Sequence, residues 1–139
     1  MTTSILLDTN VVLDYTMERG EFFAPADRIM DEIIAGRLKG YVTASQITDF
    51  YYFLEKEFSH EKAVRVIADL ITSVRVIGVD RKTIDAALAS GMLDFEDAVQ
   101  TVAAKDLGID IVVTRDPDGY CNSGLQVYLP EEFFLPHPA

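Results

Sequence analysis

The sequence predicts an α/β fold in which a mainly parallel sheet of four to five strands is flanked by helices. Short apolar runs without polar alternation recur along the chain, which is typical of strands covered on both faces. Segments with apolar residues at helical spacing separate these runs, and such alternation of strand and helix favours a parallel sheet. The predicted strands are 5–7, 41–43, 74–79 and 109–113, with a short edge strand at 125–129.

Length and composition fit one domain without membrane segments. The 139 residues are interpreted as a single domain, 1–139, whose Pro-rich end at 136–139 is expected to fray. Hydrophobic residues make up 49% of the chain, which is too many for a disordered protein. There is no signal-peptide pattern and no apolar run near the roughly 20 residues of a membrane span, so a cytoplasmic protein is expected.

The ionisable residues exclude some functions and leave others open. The single cysteine, Cys121, excludes an internal disulfide, and with two histidines the chain is poorly supplied for zinc. The formal net charge of −11 argues against tight, sequence-independent binding of nucleic acid. Metal-dependent phosphoester chemistry is not excluded, because divalent cations held by converging acids would change the sign of the local electrostatic field.

An acid, Asp8, lies at the carboxyl end of the first predicted strand. Ile5–Leu7 is followed by Asp8-Thr9-Asn10, residues that favour caps and turns, and helical spacing of apolar residues resumes at Val11. Open α/β sheets bind their ligands at the carboxyl ends of their strands. Asp8 is therefore a candidate site residue, and the alternative is that it only caps the helix. Asp14 is expected on another face of that helix.

Three further helices are predicted between the helix that begins near Val11 and the third strand. The helix with Pro25 in its first turn precedes the second strand. Ser45 is the predicted N-cap of the next helix, which carries Asp49 one turn inside it. Asp49 flanks the apolar stripe of this helix rather than lying opposite it, so it is a second candidate site residue. The third helix begins at 59–61 and is predicted to bury Val64, Ile67, Ala68 and Ile71.

Two acids open the helix that precedes the fourth strand. Asp94 fits the N-cap, and Asp97 follows three positions later in the first turn, on the same face. One interpretation is that both acids only stabilise the helix through its dipole, by about 0.3–1 kcal/mol each. The other is that small residues at 98, 103 and 104 allow close packing and leave Asp97 at the boundary between helix and sheet.

Four acids are predicted to converge at one edge of the sheet. The fourth strand ends in Thr114-Arg115-Asp116, so Asp116 shares with Asp8 the edge where parallel strands end. Asp49 and Asp97 lie near the starts of helices that leave this edge. Two carboxylates about 4 Å apart repel by roughly 4 kcal/mol at an effective dielectric of 20, which favours a bound cation. A ligand set made only of oxygens selects Mg²⁺ or Mn²⁺.

These blocks together resemble the PIN-domain nucleases. They are Leu-Leu-Asp8-Thr-Asn10 after the first strand, an acid in the helix after the second, Asp94-x-x-Asp97-Ala at a helix start, and Val-Thr114-Arg-Asp116 after a strand. The resemblance covers essentially the whole chain. It implies a PIN-like three-layer sandwich and a ribonuclease whose acidic pocket binds Mg²⁺ or Mn²⁺. Many small members of that family are VapC-like toxins of toxin–antitoxin pairs.

The resemblance also implies a role for each candidate residue. The catalytic set is Asp8, Asp49, Asp97 and Asp116, of which Asp8, Asp97 and Asp116 would hold the metal. Asn10 and Thr114 are expected to orient these carboxylates or a water, and Asp94 is expected to serve mainly as a cap. Arg115 would meet a substrate phosphate or lie solvated in its loop. The implied partners are an RNA substrate, a cognate antitoxin and a second copy in a homodimer.

Other functions compete with this interpretation. A phosphatase with Asp8 as nucleophile would need a second aspartate where Asn10 stands. A receiver-like signalling domain carries its phosphoacceptor on a middle strand, and the central strands here end in Thr43 and Asp80. A catalytically weak or inactive PIN-fold module that binds nucleic acid or protein is the main alternative. It is favoured by the net charge and by Asp49, which stands where the family usually has the longer glutamate.

Overall fold

The described residues form five parallel strands and six α-helices. The computed structural model describes residues 2–135, so the predicted frayed end at 136–139 lies outside them. The predicted α/β fold with a parallel sheet is confirmed. The strands are β1 (Thr3–Leu7), β2 (Leu38–Thr43), β3 (Arg75–Ile77), β4 (Ile111–Val113) and β5 (Gln126–Tyr128). The helices are α1 (Thr9–Thr16), α2 (Phe23–Ile34), α3 (Ala44–Glu57), α4 (His60–Leu70), α5 (Arg81–Leu88) and α6 (Phe95–Asp106).

The strand order is β3-β2-β1-β4-β5, which places β1 at the centre of the sheet. Leu7 at the end of β1 pairs in register with Val113 at the end of β4. The backbone N–H of Asp8 continues this pairing by donating to the Val113 carbonyl at 3.0 Å. The register therefore makes the chain leave both strands side by side, with Asp8 next to Thr114.

The central strand faces two separate hydrophobic cores. Ile5 and Leu7 pack against α1, α2, α3 and α4, whereas Leu6 points to the opposite face and packs with α6. All three side chains are fully buried, which explains why the strand shows no polar alternation. The helix α5 is attached to α6 through a small cluster of Ala87, Ala98 and Val99. No helix within residues 2–135 has the length and apolar character needed to cross a membrane.

The predicted N-cap of α3 is wrong. The cap is Thr43, whose hydroxyl accepts from the Gln46 N–H while the Gln46 side chain accepts from the Thr43 N–H. This reciprocal capping box forms because a glutamine stands three positions after the threonine. Ser45 lies inside the first turn, exposed, and its hydroxyl hydrogen-bonds the Thr43 hydroxyl at 2.7 Å.

The predicted buried face of α4 is also partly wrong. Val64 and Ile71 are 46% and 47% exposed, and Ala68 is exposed as well. Two overlapping apolar stripes run along this helix one residue apart, and periodicity alone does not separate them. Packing against α3 selects the stripe of Ala63, Val66, Ile67 and Leu70, which joins the larger core.

Replacing the cap of α3 should destabilise the fold. Thr43→Ala removes the acceptor for the Gln46 N–H at a fully buried position and should lower the free energy of unfolding by about 1 kcal/mol in urea titrations. Ser45→Ala is the matched control and should cost less than half as much. A larger loss for Ser45→Ala than for Thr43→Ala would contradict this assignment of the cap.

Candidate functional site

The Asp8 carboxylate lies at the carboxyl end of β1 and is held by two hydrogen bonds. Its Oδ1 accepts from the Thr9 N–H at 2.8 Å, and its Oδ2 accepts from the Thr114 hydroxyl at 2.7 Å. The residue is only 7% exposed. Burial raises the pKa of Asp8, while the hydrogen bonds from Thr114 and Thr9 act in the opposite direction. Asp8 is thus both the N-cap of α1 and a nearly buried acid at the edge of the sheet.

Asp97, in the first turn of α6, shares a confined space with Asp8. The buried Tyr120 hydroxyl donates to Gln100 Oε1 at 2.7 Å and lies within hydrogen-bonding reach of both carboxylates. Burial, together with the negative charges of Asp8 and Asp94, raises the pKa of Asp97 to about 7. Burial and the carboxylates of Asp8 and Asp97 raise the pKa of Tyr120, so its hydroxyl stays protonated and acts as a donor.

Asp116 follows β4 and completes an acidic cluster, which we define as Asp8, Asp97 and Asp116. The Asp116 N–H donates to the Thr114 hydroxyl at 2.9 Å, and the same hydroxyl donates to Asp8. A side chain at Gly119 would collide with Asp97 Oδ2, and its Cβ would lie 3.8 Å from Asp116 Oδ2. The turn after β4 can approach the two carboxylates because glycine stands at this position.

An open pocket of about 250 Å³ borders the acidic cluster. It combines acids, amides, one cation and apolar side chains. A larger cavity of about 330 Å³ lies elsewhere, between α1, α2 and α4, and none of the four predicted catalytic acids lines it. We therefore take the smaller pocket as the candidate site. Its lining residues are Asp8, Thr9, Asn10, Leu13, Arg19, Phe53, Glu96, Asp97 and Gln100.

Asp49 lines a neighbouring pocket of about 170 Å³ rather than the one beside the acidic cluster. The two pockets share Glu96 and Gln100. Asp49 is half-buried, and burial raises its pKa. Burial and the charges of Asp49, Asp94 and Asp8 raise the pKa of Glu96, so this acid stands between Asp49 and the cluster.

Three other predicted residues maintain the frame of the site. Asp94 caps α6, because its Oδ1 accepts from the Asp97 N–H at 2.9 Å. Asn10 connects α1 to the loop after β4, where its Oδ1 accepts from the Arg115 N–H at 3.3 Å. The Arg115 guanidinium donates to both carboxylate oxygens of Asp14, at 2.6 and 3.1 Å. Arg115 is therefore bound to a fully buried acid and does not line the pocket.

The acidic cluster fits a hard divalent cation by donor chemistry and by charge. Its donors are carboxylate oxygens, which Mg²⁺ and Mn²⁺ prefer. The negative charge that raises the pKa of Asp97 is the charge that a cation would neutralise. Within residues 2–135, no three acid, histidine or cysteine side chains lie close enough to form a complete ligand set. The donor atoms and the charge of the cluster thus fit the ion, but these side chains do not form a complete ligand set in the structure.

Residues 4–118 match the family model described as the PIN domain. The chain belongs to the PIN-domain family. Its structure is similar to that of a VapC toxin from Mycobacterium tuberculosis, described as cleaving the sarcin–ricin loop, with 20% sequence identity, a TM-score of 0.67 and coverage of 83% of this chain and 92% of that one. No curated protein sequence matches the chain.

Two toxin–antitoxin complexes are also similar to this PIN domain. The DNA-bound VapBC complex of Salmonella typhimurium gives 15% identity, a TM-score of 0.70 and coverage of 94% of this chain and 99% of the other. A VapBC complex of Rickettsia felis bound to promoter DNA gives 11% identity, a TM-score of 0.72 and coverage of 91% of this chain and 98% of the other. At these identities the likeness shows the shared fold, which confirms the predicted PIN-like sandwich.

Four residues of the PIN-domain site are not among those predicted from the sequence: Glu96, Gln100, Gly119 and Tyr120. The spacing could have indicated Gln100, because it stands three positions after Asp97 and therefore on the same face of α6. Glu96 is one of several acids at the start of α6, and its position alone does not distinguish it from a residue that stabilises the helix. Gly119 and Tyr120 lie in a short 3₁₀ segment, 117–120, which has no periodicity to interpret.

The raised pKa of Asp97 predicts a pH-dependent stability for the metal-free protein. The pKa is 3.8 in the absence of the fold and about 7 within it, so between these values the native state binds a proton that the unfolded chain has released. The stability contributed by this group is therefore complete below about pH 4 and is lost as the pH rises towards 7. In EDTA, urea titrations from about pH 4 to 7.5 should show this decline in wild type and a smaller one in Asp97→Asn.

Asp106→Asn is the matched control for this experiment. Asp106 is an exposed acid at the far end of the same helix, and its replacement should preserve the wild-type slope. Near pH 7.5 without metal, Asp97→Asn should be as stable as wild type or more so, because it removes like-charge repulsion. Equal slopes in wild type and Asp97→Asn would contradict the raised pKa.

Proposed function

We propose that this PIN-domain protein is a metal-dependent endoribonuclease that hydrolyses RNA phosphodiester bonds, as the toxin of a toxin–antitoxin pair. The observation that carries the proposal is the acidic cluster at the carboxyl edge of the sheet. Burial and the negative charge of Asp8 raise the pKa of Asp97 to about 7, and Asp116 adds to the same repulsion. Such an arrangement is unfavourable without a cation and suits phosphoester hydrolysis with one.

Asp8, Asp97 and Asp116 would hold Mg²⁺ or Mn²⁺. When bound, the ion lowers the pKa of a water and offsets the charge of the attacked phosphate. The Thr114 hydroxyl fixes the orientation of Asp8 by donating to it, and accepts from the backbone of the Asp116 loop. Asp94 holds the first turn of α6 in place, which positions Asp97 opposite Asp8.

Asp49 is assigned a supporting position in this site. It lines the neighbouring pocket, which shares Glu96 and Gln100 with the pocket of the acidic cluster. The pKa of each of these two acids is raised, mainly by burial. We therefore infer that Asp49 and Glu96 together position a water at the edge of the site.

The proposal includes two protein partners. The similar structures from Rickettsia felis and Salmonella typhimurium are VapBC complexes, and this supports a cognate antitoxin for the present chain. A homodimer is proposed as well, because large apolar side chains are exposed at the end of α5, in the loop that follows it and at the start of α6. These are Leu88, Leu93 and Phe95, with exposures of 69%, 95% and 46%.

A PIN-fold module that binds nucleic acid or protein without catalysis is the second candidate. It is favoured by the placement of Asp49 in the neighbouring pocket and by the incomplete ligand set within residues 2–135. The net charge of −11 favours it further, since phosphate attraction would then depend on few local cations. Cleavage assays distinguish the two candidates.

Asp8→Asn should abolish Mn²⁺-dependent cleavage of single-stranded RNA while the fold persists. Asparagine keeps the size and capping ability of Asp8 but loses the charge that holds a hard cation. The loss in rate should exceed the roughly 10- to 100-fold that changes in supporting residues cost at metal sites. Gel quantification of cleavage products over a broad panel of RNAs measures it.

Asp106→Asn is again the control and should cut at the wild-type rate. Asp14→Asn is unsuitable, although the sequence places Asp14 on another helix face, because Asp14 is fully buried and binds Arg115. Asp49→Glu restores the chain length usual in the family and should keep or increase activity. A wild-type protein that binds RNA or a partner protein but cuts no RNA with Mn²⁺ would establish the binding module instead.

A further inference from the structure

The pocket beside the acidic cluster also contains an aromatic ring and a cation. Phe53 and Arg19 line it together with the catalytic acids Asp8 and Asp97. We propose that Phe53 is the stacking platform for an unpaired RNA base and that Arg19 binds an adjacent phosphate of the same strand. This inference rests on the proposed ribonuclease function and adds the subsite that positions the substrate.

Phe53 is more exposed than the packing of α3 requires. The core side of this helix is supplied by Phe50 and Leu54, which are fully buried, whereas Phe53 is 41% exposed. Its ring meets the ring of Tyr52 edge to face, with centroids 5.4 Å apart, and Tyr52 is 59% exposed. Exposed aromatic rings beside a phosphoester site suit single-stranded nucleic acid, because every base offers a face for stacking.

Arg19, the cation that lines the pocket, makes only weak contacts within the protein, and its guanidinium donates to the Met17 sulfur at 3.5 Å. Its nearest carboxylate oxygen, on Asp14, is 3.8 Å away, because Arg115 already occupies both Asp14 oxygens at shorter distances. The residues on either side, Glu18 and Gly20, have φ values of +49° and +46°. A left-handed conformation is uncommon for glutamate, and here it belongs to the turn that presents Arg19.

One face of α3 leads from the acids to this platform. Asp49, Phe53 and Lys56 follow one another at spacings of four and three residues, which places them on the same side of the helix. The Lys56 ammonium lies 5.9 Å from the centroid of the Tyr52 ring. This side of α3 therefore presents an acid, then an aromatic ring, then a cation, in order of distance along the helix from Asp49.

The overall charge of the chain makes such local contacts necessary. With a net charge of −11, the protein as a whole repels RNA, so binding depends on stacking and on a few nearby cations. Glu96 in the same pocket adds to that repulsion, so the attraction for a phosphate within the pocket comes from Arg19. Single-stranded RNA is thus the occupant that the chemistry of this surface fits.

Phe53→Trp tests the platform without any need for catalysis. The chain contains no tryptophan, so this variant carries a single indole at the proposed stacking position. Titration with short 2′-O-methyl oligoribonucleotides in EDTA should quench its fluorescence in a saturable manner. Phe58→Trp is the matched control, because Phe58 is 39% exposed and has its own lysine, Lys62, at 3.9 Å, but does not line the pocket. Its fluorescence should not respond.

Cleavage kinetics supply a second readout. Phe53→Leu should raise KM by about ten-fold or more while kcat changes little, because the lost stacking acts on binding. Phe53→Tyr keeps the ring and should restore the wild-type KM. The shift in melting temperature caused by Mn²⁺ should be the same in all three proteins, since Phe53 does not belong to the acidic cluster.

The outcomes separate this inference from the proposed function. Saturable quenching of the F53W indole without cleavage by the wild type would support the platform and contradict the ribonuclease. Cleavage that depends on Asp8, with an F53W indole that does not respond and a Phe53→Leu variant that cuts normally, would overturn the platform alone. Quenching by a bound partner protein but not by RNA would also overturn it and would assign this surface to protein docking.

Discussion

A nearly buried carboxylate at the end of the central strand sets the arrangement of the surrounding structure. Asp8 must leave β1 beside Thr114 because Leu7 and Val113 are in register, and it stays at 7% exposure through the hydrogen bonds from Thr9 and Thr114. The cap of α6 and the turn after β4 then bring further carboxylates to the same point. Each added charge raises the free energy of the others, so the cluster is favourable only with protons or a cation.

The elements that support the cluster are governed by strong local rules, and these could be predicted from the sequence. An apolar run without alternation indicates a strand buried on both faces, and parallel strands place their carboxyl ends together. Asp8 and Asp116 are therefore expected at the same edge of the sheet although they are far apart in the chain. Asp94 was predicted as a cap from its position alone, and the structure confirms that cap.

Features that depend on tertiary packing could not be predicted in this way. The Asp14–Arg115 ion pair joins residues 101 positions apart, and no local sequence pattern indicates it. Tyr120 and Gly119 belong to a 3₁₀ segment, where neither helical nor strand periodicity applies. The buried stripe of α4 is decided by packing against its neighbour α3. The N-cap at Thr43, by contrast, follows a local pattern, because Gln46 stands three positions later and its side chain accepts from the Thr43 N–H.

Crystals of the protein grown with Mn²⁺ at about pH 8 would show whether the acidic cluster binds a cation, because the ion is identified by its anomalous scattering. We expect one strong anomalous peak bounded by Asp8, Asp97 and Asp116, and no peak there in crystals of Asp97→Asn. A wild-type crystal that binds Mn²⁺ only elsewhere, or that shows these three carboxylates apart with no ion between them, would rule out a metal site at the cluster.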